Sequence, residues 1–411
     1  MTLLLPAEPW RRNQHVTAAM VFVVFTAFAF VLPFLPLYVR QLGVRGDDAV
    51  ALWAGVLIGV APLLAGLLAP AWGRLADRHG QKRMAVRALA AYVVLLALSA
   101  AVTNVGQLLA LRVGVGLFGG IGPLGLAMAT SLAPREHTGR AVGTIQAAQI
   151  LSAAVGPLMG GFLADAVGIR WTFLATAALC AGALVLVSLC YQEPPPAPSA
   201  AAPRSPFAEV LRLPGTAMLL AVLFLVNFIG RSFTPILPLY VEGLGVPASR
   251  VALATGLLIS LYSVAAALSA AWLGRVSRHR SPRALLVATL VGGAVTVLPM
   301  AVVPSFGWLL ALAVLLGLAS GGSLTLCYTM GGLMVPEGIR TTAFGFFSGA
   351  ALFGGAISPS VAGLLARWDL RGIYYLDTFL FVALTVALLS GARARAAAPG
   401  TGPVASGERV G

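Results

Sequence analysis

The chain has 411 residues, 59% of them hydrophobic and only 10% charged, with a mean hydropathy of +0.93. That composition excludes an ordinary water-soluble domain and points to a membrane protein. The net charge of +14 does not imply nucleic acid, because the basic residues flank long apolar runs instead of lining an amphipathic surface.

Arg11 and Arg12 precede the first apolar run, and no short hydrophobic region ends in a small-residue cleavage site. A retained first span is therefore expected rather than a signal peptide. Runs of spanning length lie near residues 16–38, 50–71, 84–103, 106–130, 141–163 and 170–190, then near 216–241, 250–272, 284–303, 307–329, 342–365 and 372–391. They predict an all-α membrane protein of twelve helices in two sets of six. The halves are 1–190 and 214–391. Between them, residues 191–213 carry Pro194, Pro195, Pro196, Pro198, Pro203 and Pro206 among Ala and Ser, the composition of an extended linker. Residues 392–411 read as a disordered tail. Cys180, Cys190 and Cys327 fall inside apolar runs and make neither a disulfide framework nor a metal site.

The two halves are related. Phe34-Leu35-Pro36-Leu37-Tyr38-Val39 recurs as Ile236-Leu237-Pro238-Leu239-Tyr240-Val241, an offset of 202 that Pro33 and Pro235, Pro134 and Pro336, Gly143 and Gly345, Pro157 and Pro359, and Gly161 and Gly363 all share. A common offset across separate segments marks a duplicated six-helix unit. With both termini inside, 19 basic residues fall on the cytoplasmic side, 6 outside and 2 within spans, Arg112 and Arg231. Positive charge accumulates inside, so both termini are expected in the cytoplasm. All 7 Trp lie near span ends, as an interfacial belt requires.

Between the second and third runs lies Gly73-Arg74-Leu75-Ala76-Asp77-Arg78-His79-Gly80-Gln81-Lys82-Arg83, read as a tight, glycine-punctuated turn at the water interface. The pattern of Gly73, Asp77, Arg78, Gly80 and Lys82 resembles the loop between spans two and three of the major facilitator superfamily of transporters, with Gln81 where that family usually has a base. In the fifth span, Ser152, Gly156 and Gly160 recur every four residues and form a stripe for close helix approach. Pro157 and Gly161 complete a G-P-x-x-G-G stretch that resembles the antiporter signature of proton-coupled drug exporters in that superfamily. An ordinary small-residue packing face is the competing reading.

Arg112 lies in an apolar fourth span, where a charge is costly unless it faces the bundle or snorkels to the interface. With Gly116 it resembles the family's R-x-x-x-G element, which implies a part in proton transfer; Ala313 replaces it in the second half. Arg231 stands near the middle of the seventh span, one turn before Pro235, with Asn227 and Thr234 spaced to share its face. An intramembrane charge is a functional candidate, and a hydrogen bond to carbonyls freed by Pro235 is its structural alternative.

All 13 acidic residues read as belonging to loops, tails or span ends, with Asp165, Glu242 and Asp377 outside. No carboxylate is expected at mid-membrane, although a membrane carboxylate is common among proton antiporters of the family. Phe30, Phe34, Gln146, Gln149, Tyr262, Ser320, Tyr328, Phe346 and Phe347 are candidate pocket walls, aromatic with a few polar groups. The resemblance implies a twelve-span exporter of small amphiphilic drugs in the cytoplasmic membrane. No nucleotide-binding motif is present, so no cofactor is expected beyond a proton gradient. The expected partners are a small-molecule substrate and the bilayer, not nucleic acid, for a monomer. A transporter of one metabolite and an integral-membrane enzyme are the alternatives, but His15, His79, His137 and His279 all fall in tails or loops without clustered acids.

Overall fold

The computed structural model describes residues 8–131, 137–193, 211–213, 215–336 and 340–397. Among these, helices follow one another in twelve segments, and no strand occurs. The first segment is Pro9–Ala29 continued by Leu35–Gln41. The second to sixth are Asp47–His79, Gln81–Ser99, Val105–Phe118 with Ile121–Thr130, Thr138–Val167 and Ile169–Cys190. The seventh joins Thr216–Ser232 to Leu237–Gly243, and the eighth to twelfth are Val251–Val276, Pro282–Met300, Phe306–Ser320 with Ser323–Met334, Arg340–Leu365 and Gly372–Ala397.

By length and composition, 10 helices among the described residues can cross a membrane, or 11 when the pair bent by 44° in the seventh segment is one span. The expected twelve falls short at Gln81–Ser99, where Lys82, Arg83 and Arg87 crowd the first two turns. Its apolar remainder still packs against the sixth segment, inside the first half.

Duplication is visible in the breaks. Proline lacks the amide that would continue the ladder, so the first and seventh segments both open before a short helix, Leu35–Gln41 and Leu237–Gly243. Tyr38 Oη donates to the Ser99 carbonyl at 2.8 Å, and Tyr240 Oη donates to the Met300 carbonyl at 2.6 Å. The fourth and tenth segments break at Gly119-Gly120 and Gly321-Gly322, again 202 residues apart.

Two expectations are corrected. The stretch 73–83 is not an open turn: the second helix runs through Gly73 to His79, since Leu, Ala and Arg favour helix, and Gly80 alone reverses the chain at φ 94°. Glu193 then seals the start of the third helix, its carboxylate accepting from the Gln81 and Lys82 amides at 2.8 Å each. The last helix continues to Ala397, because Ala-Arg-Ala-Arg-Ala-Ala propagates helix well. It enters the segment expected as tail, whose remainder, 398–411, lies outside the described residues, as do 194–210 of the linker.

The halves meet most extensively through the second segment against the eleventh and the fifth against the eighth. A Cβ at Gly55 would overlap the Pro359 carbonyl, and one at Gly256 would overlap the Pro157 carbonyl. These are the same contact made twice across a pseudo-twofold axis.

Candidate functional site

Four polar candidates meet in one place. Asn227 and Arg231 on the seventh segment, Tyr262 on the eighth and Ser320 on the tenth line a cavity of about 240 Å³, with Phe233, Leu316 and Phe381 among its apolar walls. Asn227 and Arg231 are one helical turn apart and so share a face; Thr234 lies beyond the helix end, in the break. Arg231 is exposed to the cavity. Among the described residues, no carboxylate lies within 4.0 Å of its guanidinium.

Arg112 behaves differently. It is only 2% exposed, and its Nε donates to the Leu57 carbonyl at 2.9 Å. The side chain turns into the bundle toward the second segment and does not snorkel. Its charge is desolvated, and Tyr92 lies near enough to interact electrostatically.

The aromatic candidates divide. Phe34 and Phe347 are fully buried and Phe30 nearly so, and none of the three lines the Arg231 cavity. The Phe30 backbone covers Gly160, and Phe347 packs on Gly331 and against Phe344. Tyr328 stacks on Phe344 with ring centres 6.0 Å apart. Gln146 is exposed, and Gln149, Tyr328 and Phe346 are partly buried; none of these four lines the Arg231 cavity.

The small-residue stripe has two jobs. Gly156 and Gly160 let the first segment approach: a Cβ on Gly156 would stand 2.5 Å from Ala29 Cβ, and one on Gly160 would stand 2.7 Å from the Phe30 carbonyl oxygen. Gly161, next door, faces Ala252 and Leu253 of the other half. Pro157 sits inside an unbroken helix. Arg78 is exposed and Lys82 partly so; the Asp77 side chain lies outside the described residues.

At the end opposite the 73–83 stretch, charged residues tie the halves. Arg40 bridges Glu242 of the other half at 2.6 Å and Asp47 of its own half at 2.7 Å. Asp165 accepts from the Leu253 amide at 2.7 Å, capping a helix of the other half. The Pro157, Gly161, Pro359 and Gly363 contacts belong to this end. Toward the other end of the same helices, a Cβ at Gly73, Gly143 or Gly345 meets nothing within 4 Å.

The family model described as Major Facilitator Superfamily matches residues 17–256 and 251–408. The chain belongs to that superfamily. It is similar to the multidrug resistance protein MdtG of Dickeya zeae (strain Ech586), at 35% identity over 332 residues, 78% of this chain and 79% of that one. MdtG of Enterobacter lignolyticus (strain SCF1) is 32% identical over 369 residues, 89% of this chain and 88% of the relative. Among solved structures, a bacterial homologue of the human lysosomal transporter Spinster, inward-facing and occupied, superposes with a TM-score of 0.77 at 17% identity, covering 94% of this chain and 98% of that one. A point mutant of the nucleoside transporter NupG gives 0.74 at 14%, covering 92% and 99%. At such identities the superpositions establish the fold.

In this major facilitator chain one acidic residue departs from its expected place. Asp377 lies in the second turn of the twelfth segment, yet its side chain is wholly buried and faces the seventh segment, 2.5 Å from Ser232 Oγ. Hydropathy put it at an exposed span end. The available signal was the repeat: with Tyr374 paired to Phe173 at an offset of 201, Asp377 falls on Thr176, a position inside a packed helix.

Proposed function

We propose that the chain is a secondary active transporter that exports small amphiphilic compounds, drugs among them, by alternating access, driven by protons moving the opposite way. The observation that carries this reading is the one-sided seal. The halves lock through glycine contacts and charged ties at the Arg40 end, while the same helices meet open space at the other, with the Arg231 cavity between. A membrane protein whose halves pack tightly at one end and loosely at the other is suited to expose a site to one side at a time. The relatives named for multidrug resistance support drugs as cargo.

Positive charge gathers at the 73–83 end, which we assign to the cytoplasm together with both termini. The structure then corresponds to a state sealed outside. Asp77 serves as a conformational latch that pairs when the cytoplasmic end closes. Arg231 is the fixed positive charge of the cavity, suited to acceptor-rich or anionic parts of the cargo. The protein works as a monomer and performs no covalent chemistry.

The test is purified protein in vesicles loaded with ethidium or carboxyfluorescein as probes. Imposing a pH gradient should drive probe movement, and a protonophore should stop it. Probe movement indifferent to the gradient would overturn proton coupling, and no movement of any amphiphile would overturn the export reading.

A further inference from the structure

We infer that Asp377 is a proton-carrying site, coupled through Ser232 to the break in the seventh segment beside Arg231. This rests on the transport reading and names the group that carries the driving ion.

The argument starts from counting hydrogens. Ser232 Oγ lies 2.8 Å from the Ile229 carbonyl oxygen and 2.5 Å from Asp377 Oδ2. A hydroxyl has one proton to give, and a carbonyl can only accept. If Asp377 is protonated, its Oδ2–H donates to Ser232 Oγ and the Ser232 hydroxyl donates to Ile229, so both of these hydrogen bonds form at once. If Asp377 is ionised, one serine proton faces two acceptors, and either a buried carboxylate or a buried carbonyl goes without.

The surroundings offer no other help. Both Asp377 and Ser232 are wholly buried, and Asp377 Oδ1 has no partner. Among the described residues no Arg, Lys or His stands within 4.0 Å of the carboxyl. On its own helix the facing titratable group is Tyr374, whose hydroxyl is also without a partner. From the short helix after the break comes Tyr240, its ring centre 5.2 Å from that of Tyr374. The seventh segment brings Arg231, adjacent in sequence to Ser232 but turned to the cavity. The ninth segment carries only Arg283, at its far end, where it donates to the Leu388 carbonyl; the eleventh carries no acid or base after Arg340, its first residue. An ion here would be uncompensated, whereas the neutral acid fits.

The other half shows that the fold does not require a carboxyl. At the equivalent place the Thr176 hydroxyl stands 2.8 Å from the Thr172 carbonyl oxygen of its own helix and 3.1 Å from the Ala27 carbonyl oxygen, and no carboxyl is present. An acid occurs only in the half that also carries Arg231.

Ser232 is the last residue of its helix before the 44° bend. When the Asp377 O–H bond breaks and the proton leaves to water, the Ser232 proton turns to the carboxylate and the Ile229 carbonyl loses its donor. The final turn, which holds Arg231, is then freed to move. Reprotonation from water restores the chain. Because the group is sealed in this structure, water reaches it only when the segments rearrange, so proton exchange is tied to conformation.

Infrared difference spectroscopy of the purified protein in lipid, stepped from neutral to alkaline pH, should show the carbonyl band of a protonated carboxyl. That band should be missing in Asp377→Asn and present in Asp369→Asn, a control at an exposed acid. In vesicles, gradient-driven ethidium or carboxyfluorescein movement should fall in Asp377→Asn to the level of protein-free vesicles. Ser232→Ala keeps the acid but removes its relay, and it should shift the pH profile of transport. If wild type moves no probe, the transport reading fails. If wild type is proton-driven and Asp377→Asn keeps the same pH dependence, or the band survives in that variant, Asp377 is structural and the inference is overturned. Should Asp377→Asn fail to fold, an unchanged pH profile in Ser232→Ala overturns it alone.

Discussion

The two halves share a backbone and differ in where they place polarity. Gly116 in the fourth segment leans on Ala61 of the second, and Gly317 in the tenth leans on Tyr262 of the eighth. At those matched places the first half has Phe25, Ala29 and Ala61, while the second has Asn227, Arg231 and Tyr262 around a cavity. The reverse holds at Arg112, a desolvated guanidinium tied to Leu57, whose counterpart Ala313 is apolar and buried. Duplication supplies the scaffold and the symmetric seams; divergence then places one charge open to a cavity and another locked in the bundle. Chemistry is thus concentrated where the repeat is broken, and stability where it is kept.

The largest expected effect lies on the symmetric seam. Gly161→Leu would drive a side chain into the Ala252 carbonyl of the other half, whereas Gly160→Leu would drive one into Phe30 of the same half. Overpacking costs about 1 to 3 kcal/mol. At Gly161 that cost falls on one conformation, so transport should collapse while the protein stays folded, with the Arg40 end held open. At Gly160 it falls on every conformation, so thermal stability should drop instead. Ser249 is exposed and lines a cleft with Arg40, Asp165 and Glu242 at that end; labelling of Ser249→Cys by a membrane-impermeant maleimide reads the first, and a melting curve reads the second. Equal melting and equal labelling in the two variants would erase the distinction between seam and half.

Much of this was legible beforehand because it depends on local rules. The 202-residue offset, the proline breaks and the stripe of Gly156 and Gly160 follow from period and residue type. So does the face shared by Asn227 and Arg231. Pairing across segments was not legible. Phe34 and Phe347 look like pocket aromatics in one dimension and are core in three, since helical periodicity does not tell a wall from its backing. Asp377 is five residues inside its helix, where hydropathy suggests the interface, but burial is set by the seventh segment packed over it. Arg40 and Glu242 are distant loop-end charges until the fold brings them to 2.6 Å.

Arg231 and Arg112 sharpen the contrast in smaller steps. Arg231→Ala removes the cavity charge that we propose hydrogen-bonds the cargo; bonds to a charged group contribute about 1.5 to 3 kcal/mol. Carboxyfluorescein transport should fall by one to two orders of magnitude on that scale, with ethidium spared. An unchanged preference between the two dyes would remove Arg231 from the site. Arg112→Ala leaves the Leu57 carbonyl without this donor, a loss of about 1 to 3 kcal/mol. It should lower the melting midpoint without altering the preference between dyes. A changed preference with unchanged melting would reverse the roles assigned to the two arginines.

The smallest effect belongs to the pair that occupies equivalent positions in both halves. Arg40 and Glu242 are 202 residues apart, so a faithful duplicate would carry the same residue at both, and like charges would meet at the axis and repel. Opposite signs turn that contact into a tie. Its side chains are 37% and 32% exposed, and a partly exposed ion pair contributes about 0.2 to 1 kcal/mol. Glu242→Gln should therefore raise Ser249→Cys labelling only slightly. Arg40→Gln removes the same tie between the halves, with the Asp47 bridge inside its own half, and should raise it by a similar small amount. The sharper case is Arg40→Glu, which sets three carboxylates together at the mouth and should open it most; adding Glu242→Arg should restore the closed level. Labelling that ignores all four variants, at low as well as high salt, would mean that the glycine seam alone holds the mouth shut.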